Sequence, residues 1–209
     1  MKIATSLLDL KEPKNQEALK LDKLNIDYFH LDLMDGIFVE NKVYSAKEFR
    51  YILEDTKLPK DVHLMVSDVK KYIDQFSPLR PEYISFHFEA TSDCVSVINY
   101  IHRLGIKVGL AINPSTDVSE ILDYLDCIDL VLVMSVEPGK GGQKFMNESL
   151  TKIDQLYELR EKNNYNYLIE VDGGINDETI KLCSKVDICV VGSYITKQDY
   201  EMAIENLRK

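Results

Sequence analysis

Tryptophan is absent from this sequence, and glycine, proline and histidine are scarce, with nine, six and four residues among 209. No stretch rich in proline, glycine or serine interrupts the chain, so no domain boundary is indicated, and the 45% of apolar residues is ordinary for a globular protein. Apolar runs of about 18 residues, which a transmembrane helix needs, are also missing. The N-terminal residues lack the parts of a secretion signal, so we expect a cytoplasmic protein without membrane spans.

Positive charge is in short supply. Twenty-five lysines and arginines stand against 35 aspartates and glutamates, which gives a net charge of −10. This balance argues against a general nucleic-acid or anionic-membrane surface, because both partners are polyanions. A local site can still bind a phosphorylated metabolite.

Cysteine is also infrequent, and no two cysteines form a CxxC pair. The four residues are Cys94, Cys127, Cys183 and Cys189, mostly within apolar or helical stretches. We therefore expect reduced, buried thiols and neither disulfides nor cysteine metal ligands.

Apolar runs alternate with amphipathic stretches along the whole chain. The predicted strands are 2–8, 27–34, 61–66, 82–88, 106–112, 128–136, 166–172 and 187–192. Predicted helices lie near 14–24, 45–56, 67–76, 92–104, 117–125, 147–163, 176–185 and 198–208. Short strands that are apolar at consecutive positions are typical of parallel sheets covered on both faces. Eight such units without an intervening linker predict one α/β domain over 1–209, a (β/α)8 TIM barrel.

An open, doubly wound sheet is the competing architecture. A nucleotide-binding sheet of that kind carries a glycine-rich turn after its first strand. Here that turn has no glycine, and the glycines cluster after the sixth to eighth predicted strands. The distribution of glycine therefore favours the barrel.

Four polar side chains, His30, Asp32, His63 and Asp172, lie where predicted strands end. His30 and Asp32 are two residues apart, a spacing that points both side chains to one face of a strand. Functional residues of barrels collect at the C-terminal ends of the strands. A single histidine at such a position is usually a core residue, and a single aspartate is usually a helix cap. Imidazole and carboxylate ligands together, however, suit Zn²⁺, Fe²⁺, Mn²⁺ or Co²⁺. The set predicts a site for one divalent metal ion.

Glycines follow three successive predicted strands. They are Gly139, Gly141 and Gly142, then Gly173 and Gly174, then Gly192 with Ser193. Glycine lets backbone N–H groups approach an anion closely, and barrel phosphate sites lie at this end of the sheet. One Gly-Gly pair would indicate only a tight turn, whereas three adjacent loops favour a phosphate site.

Three methionines, Met34, Met65 and Met134, occupy related strand-end positions. Met34 lies two residues beyond Asp32 and Met65 two beyond His63, so each shares a face with a predicted ligand. The spacing is compatible with a polarizable lining of the substrate site and equally with core packing.

The sequence resembles the ribulose-phosphate 3-epimerase family along nearly the whole chain. The matching stretches are His30-Leu-Asp-Leu-Met-Asp-Gly-Ile-Phe-Val39, Asp61-Val-His-Leu-Met-Val66, Ser85-Phe-His-Phe-Glu-Ala90, Gly109-Leu-Ala-Ile-Asn-Pro-Ser-Thr116, Val133-Met-Ser-Val-Glu-Pro-Gly139, Glu170-Val-Asp-Gly-Gly174 and Val191-Gly-Ser193. The resemblance implies a barrel that interconverts D-ribulose 5-phosphate and D-xylulose 5-phosphate, and a homo-oligomer, dimeric or hexameric.

The resemblance also implies roles for individual residues. The four predicted ligands would hold the metal, and Asp32 and Asp172 would form the acid/base pair. Ser6 would contact substrate hydroxyls. The phosphate would lie on the backbone near Gly142, Gly174, Gly192 and Ser193.

The chemistry fits these residue types. Inversion of a carbon beside a carbonyl removes a proton on one face and returns one on the other. Two carboxylates on opposite sides of a flat enediolate can do this, while a metal ion stabilises the developing negative charge.

Three departures from the family pattern occur in loops. Ile37 stands where the family usually has histidine, Glu40 where it has proline, and Lys140 where it commonly has phenylalanine. None is a predicted ligand or base, so they bear on substrate preference and not on reaction type.

Three alternatives follow. A sister epimerase of a ketohexose phosphate such as allulose 6-phosphate shares these motifs. A non-catalytic sugar-phosphate-binding barrel is the second, and the complete set of ligands and bases argues against it. A barrel decarboxylase or aldolase would need a strand-end lysine, and only Lys140, in a loop, is near.

Two further histidines receive other interpretations. His87 and Glu89 share one face of the fourth predicted strand, and we interpret them as support inside the barrel and not as a second metal pair. His102, beside Arg103 on an amphipathic stretch, is predicted to lie at the solvated surface.

Overall fold

A computed structural model describes residues 1–209 and has a parallel sheet that closes on itself. Its strands are β1 (Lys2–Ser6), β2 (Tyr28–Asp35), β3 (Lys42–Val43), β4 (Lys60–Met65), β5 (Tyr83–His87), β6 (Lys107–Ile112), β7 (Leu130–Met134), β8 (Leu168–Asp172) and β9 (Ile188–Val191). All pair in parallel except β3, a short antiparallel strand on β2. Since β1 pairs with both β9 and β2, the eight parallel strands form the predicted (β/α)8 barrel.

Helices connect the strands. They are α1 (Lys14–Leu21), α2 (Ala46–Ile52), α3 (Val69–Phe76), α4 (Cys94–Arg103), α5 (Ser149–Asn163), α6 (Ser193–Thr196) and α7 (Tyr200–Leu207). Short 3-10 helices cover Ser77–Leu79, Phe88–Ala90, Val118–Tyr124 and Thr179–Leu182. None of the helices is both long and apolar enough to cross a membrane.

Two predicted helices, 117–125 and 176–185, are 3-10 helices and shorter than expected. In the first, Val118 and Ile121 are buried and Tyr124 packs on the core. This spacing of three places them on one face of a helix with three residues per turn. The very short elements β3 and α6 were not predicted, because two to four residues carry no periodicity.

The inward face of β2 explains where the polar site lies. Its outward residues Phe29, Leu31 and Leu33 belong to the large core cluster that includes apolar residues of the helices. The alternate positions therefore face the barrel interior, and they include His30 and Asp32.

The cysteines are all free thiols. Cys94, Cys183 and Cys189 are buried as predicted, but Cys127 is exposed. The prediction was wrong for Cys127 because it lies in the turn between the 3-10 helix Val118–Tyr124 and β7. His102 is 41% exposed, as predicted for a surface histidine, and lies 3.2 Å from Asp129.

Candidate active site

The four predicted ligands come together inside the barrel. One ligand atom from each of His30, Asp32, His63 and Asp172 lies within 4.8 Å of the other three. Asp32 Oδ1 is 3.5 Å from His30 Nε2 and 3.4 Å from His63 Nδ1. Asp172 Oδ2 is 3.9 Å and 3.7 Å from the same two nitrogens.

The four residues lie toward the C-terminal end of the barrel, but not all at the last position of their strands. Only Asp172 is the last residue of its strand, whereas His30, Asp32 and His63 lie inside β2 and β4. Strand β2 continues to Asp35 because it keeps pairing with β4 on one side and gains β3 on the other. The imidazoles of His30 and His63 are therefore fully buried below the strand ends.

The side chains present fit a divalent metal ion. His30 Nε2 and His63 Nδ1 are buried and have no hydrogen-bond partner. A buried polar atom without a partner is costly, so native proteins usually satisfy it. Two imidazole nitrogens and two carboxylate oxygens around one point match the donor set of Zn²⁺ and neighbouring transition metals.

The remaining nitrogen of each ring is engaged elsewhere. His30 Nδ1 lies 2.6 Å from Asp61 Oδ2, and both side chains are fully buried. His63 Nε2 lies 2.8 Å from His87 Nε2. Such contacts fix the orientation of a ligating imidazole.

The two central carboxylates have different electrostatic environments. Burial and the nearby charge of Asp32 together raise the pKa of Asp172 to about 7, against the opposing effect of His30. Burial also opposes ionisation of Asp32, but His30 and His63 hold the pKa of Asp32 below its ordinary value. A bound cation would add positive charge and favour ionisation of both groups.

A second buried group lies next to His30. Glu170 is fully buried, its two carboxylate oxygens have no hydrogen-bond partner, and it clusters with His30 and Asp61. Burial raises the pKa of Glu170 well above its ordinary value, and Asp61 adds to the effect. Sequence reasoning missed Asp61 and Glu170, although each stands two residues before a predicted ligand.

An open cavity lies above the four clustered side chains. Asp32 and Asp172 line it, while His30 and His63 are fully buried and do not. Every other predicted substrate residue lines this cavity: Ser6, Met34, Met65, Met134, Gly139, Gly141, Gly142, Gly173, Gly174, Gly192 and Ser193. The predicted catalytic aspartates, the methionines and the glycines therefore line the same cavity.

The loop after β8 requires glycine at Gly174. Its φ of +66° is unfavourable for residues with a side chain, and an added Cβ would lie 2.3 Å from the backbone nitrogen of Phe145. Ser135 fixes the start of the same loop, because its hydroxyl donates to the carbonyl oxygens of Asp172 and Gly173 at 2.9 and 2.7 Å.

Lys197 is a cation beside the glycine loops that sequence reasoning missed. Its Nζ lies 3.2 Å from Asp9 Oδ2, and it would be 3.6 Å from a Cβ built on Gly142. Asp9 also lines the cavity. Nothing in the local pattern signals this pair, because 188 residues separate its members.

The three loop departures gather in one place. Ile37, Glu40 and Lys140 line a depression next to the cavity, and Ile37 is 78% exposed. Asn41 holds the two loops together, since its Nδ2 donates to the carbonyl oxygen of Gly139 at 2.8 Å.

Fold and site define a class: a (β/α)8-barrel enzyme with a candidate divalent-metal site beneath a cavity bordered by glycine loops. A family model gives the particular family. The model of the Ribulose-phosphate 3 epimerase family matches residues 2–196, and the chain belongs to this family. It is therefore an isomerase of the epimerase type.

Curated ribulose-phosphate 3-epimerases are similar to the chain over most of its length. The Helicobacter pylori protein (strain ATCC 700392 / 26695) is 39% identical, with 100% of this chain and 97% of that protein covered. The Bacillus subtilis protein (strain 168) is 37% identical, with 100% and 98% covered. The Methanocaldococcus jannaschii protein is 39% identical, with 93% and 83% covered.

Solved structures of more distant proteins share the fold. The crystal structure of KGPDC from Streptococcus mutans has a TM-score of 0.69 at 13% identity, covering 99% of this chain and 95% of that chain. N-(5'-phosphoribosyl)anthranilate isomerase from Pyrococcus furiosus has a TM-score of 0.63 at 15% identity, covering 100% and 97%. At these identities the likeness concerns the barrel alone.

Proposed function

We propose that this protein interconverts D-ribulose 5-phosphate and D-xylulose 5-phosphate by metal-dependent proton transfer at C3. The observation that carries the proposal is the pair of carboxylates, Asp32 and Asp172, above two buried imidazole nitrogens without partners. Membership of the family and the named relatives support the substrate.

The acid/base pair is Asp32 and Asp172. They belong to β2 and β8, which β1 and β9 separate in the barrel, so they reach the cavity from different sides. One carboxylate takes the C3 proton from one face of the substrate, and the other returns a proton to the opposite face. The reverse reaction exchanges the two roles.

The ligands of the cation are the four clustered side chains. His30 Nε2, His63 Nδ1 and one oxygen each of Asp32 and Asp172 would hold one Zn²⁺, Fe²⁺, Mn²⁺ or Co²⁺. When bound, a divalent cation supplies positive charge that stabilises the negative charge developing on the substrate oxygens.

The neighbouring side chains orient the reacting groups and exclude water. Ser6 holds one oxygen of Asp32 and can also reach a substrate hydroxyl in the cavity. Met34, Met65 and Met134 line the same cavity and are almost fully buried. An apolar lining strengthens the electrostatic interactions of the charged groups beside it.

The phosphate group would lie on the loops after β7, β8 and β9. Backbone N–H groups near Gly142, Gly174, Gly192 and Ser193 would donate to its oxygens, because glycine leaves the backbone open to a close approach. We further propose that 1–209 acts as one barrel domain and that the protein is a homo-oligomer, as the resemblance implies.

A substrate panel tests this proposal. Purified, metal-loaded protein is assayed with ribulose 5-phosphate and with allulose 6-phosphate, and we expect kcat/KM at least about tenfold higher for the pentulose, the scale of one added group in a pocket. The depression lined by Ile37, Glu40 and Lys140 is where a longer substrate could be accommodated. A preference for the hexulose would indicate a ketohexose-phosphate epimerase instead. Binding of both sugars without turnover of either would overturn the proposal that the protein is catalytic.

A further inference from the structure

A chain of hydrogen bonds leads from the candidate metal site to the end of β5. His63 Nε2 lies 2.8 Å from His87 Nε2, and His87 Nδ1 lies 3.3 Å from Glu89 Oε2. His63 and His87 are fully buried, so no water competes for these contacts. Both nitrogens of His87 are engaged, which leaves none for a second metal.

Glu89 is itself fixed from the other side. Its Oε1 accepts the backbone N–H of Asn113 at 2.9 Å and the hydroxyl of Thr116. The Asn113–Thr116 turn is tied to α5, because Lys152 Nζ donates to the carbonyl oxygens of Asn113 and Pro114 at 2.9 and 2.8 Å. Oε2 is therefore the oxygen available to His87.

The protons in this chain can be placed in only one self-consistent order. A carboxylate only accepts, so His87 must donate from Nδ1 and its Nε2 carries the lone pair. That lone pair accepts a hydrogen bond from the N–H at His63 Nε2. The lone pair of His63 then lies on Nδ1, the buried nitrogen that has no partner and faces Asp32 and Asp172.

We propose that Glu89 is a positioning residue that acts through His87 to fix the tautomer of His63 and thereby prepares Nδ1 to bind the metal. The inference rests on the proposed metal-dependent function. His30 has its carboxylate partner, Asp61, in direct contact, whereas the carboxylate of Glu89 reaches His63 only through an intervening imidazole.

The isosteric variant Glu89→Gln gives a sharp test, because it reverses the donor-to-acceptor direction of these hydrogen bonds instead of only breaking one of them. The fixed N–H of Asn113 requires an oxygen opposite it, so the glutamine amide places its NH₂ toward His87. His87 must then accept at Nδ1 and donate from Nε2, and His63 must accept at Nε2. The proton of His63 moves to Nδ1 and blocks the metal-binding lone pair.

Two readouts follow on protein that has been stripped of metal and checked by near-UV circular dichroism. Nitrogen-15 NMR of the imidazoles should show the His63 proton on Nε2 in the wild type and on Nδ1 in Glu89→Gln. Zn²⁺ affinity, measured by competition with a chromophoric chelator, should fall by about 10–100-fold, the scale of losing the partner of a ligating histidine.

Matched variants separate this role from a general effect of charge or fold. Glu82→Gln removes the same charge at the start of β5, where Glu82 pairs with Lys107, and should change neither readout. Glu89→Ala removes the carboxylate that accepts from His87 without supplying a donor in its place. It should therefore give mixed His63 tautomers and an intermediate Zn²⁺ affinity. It also keeps the proposal testable if Glu89→Gln does not fold.

The outcomes distinguish this inference from the proposed function. Unchanged His63 tautomer and Zn²⁺ affinity in both Glu89 variants would overturn the relay while leaving the epimerase proposal in place. A wild type that turns over substrate without binding Zn²⁺ or another divalent cation would overturn the metal proposal. In that case the NMR comparison still decides whether Glu89 sets the tautomer.

Discussion

Ser6 donates a 2.6 Å hydrogen bond from Oγ to Oδ2 of Asp32, and this contact joins the end of β1 to the middle of β2. The other oxygen of Asp32, Oδ1, is the one that faces His30 and His63. The two oxygens of Asp32 therefore have different roles: Oδ2 is held by the Ser6 hydroxyl, and Oδ1 is free to bind the cation.

Ser6→Ala should lower kcat. A hydrogen bond to a charged group is worth about 1.5–3 kcal/mol, so loss of this one predicts roughly a 10–100-fold decrease. Ser85→Ala is the matched control, since Ser85 Oγ is buried in the barrel without a partner. Steady-state kinetics of both variants would contradict the assignment if Ser6→Ala stayed within about twofold of Ser85→Ala.

Asp172→Asn should abolish most proton transfer while keeping the shape of the site. The expected decrease in kcat exceeds about 100-fold, the contribution of a general acid or base. Deuterium exchange need not fall equally from both substrates, because Asp32 can still exchange its own proton. Activity within about threefold of wild type, in a folded variant, would rule out a role for Asp172 in proton transfer.

Gly174→Ala should weaken phosphate binding more than it lowers the stability of the fold. The added Cβ would lie 2.3 Å from the backbone nitrogen of Phe145, so the loop after β8 must shift. Gly105→Ala is a matched control with a similar φ of +72° and no atom within 4 Å. Both variants lose roughly 1 kcal/mol of stability to the positive φ, but only Gly174→Ala should raise KM. Equal KM values would count against a phosphate site at this loop.

Lys140→Met should raise KM several-fold at low salt with kcat largely kept. The Lys140 ammonium is exposed on the loop that lines the cavity and would attract the phosphate over some distance. An exposed charge is worth about 1 kcal/mol or less, and added salt should shrink the difference. Lys144→Met removes the same charge from an exposed residue of the same loop that does not line the cavity. An unchanged KM at low salt would mean that Lys140 is only a solvated lysine.

Much of the fold could be predicted because the barrel strands are short apolar runs with regular spacing. The i, i+2 spacing of His30 and Asp32 also predicted one shared face, and the barrel brought His63 and Asp172 to the same point. The prediction of the barrel and that of the converging side chains both depend on local periodicity and on a barrel whose strands all run in the same direction.

The contacts that support the site could not be predicted in the same way. The hydrogen bond between His63 and His87 depends on the register of β4 against β5, which pairs His63 with Ser85. The pairing of Lys197 with Asp9 depends on where two distant loops meet. Neither register nor loop approach leaves a pattern in one sequence.

The central claim is tested most directly by solvent-deuterium incorporation at C3 in heavy water, measured with metal-loaded and with chelator-treated protein. The expected result is xylulose 5-phosphate that carries deuterium at C3 from the loaded protein. The treated protein should give no turnover and an unchanged circular dichroism spectrum, because the large apolar core contains none of the four proposed ligands. Full retention of the original C3 proton in the product, or undiminished turnover without bound metal, would contradict the account.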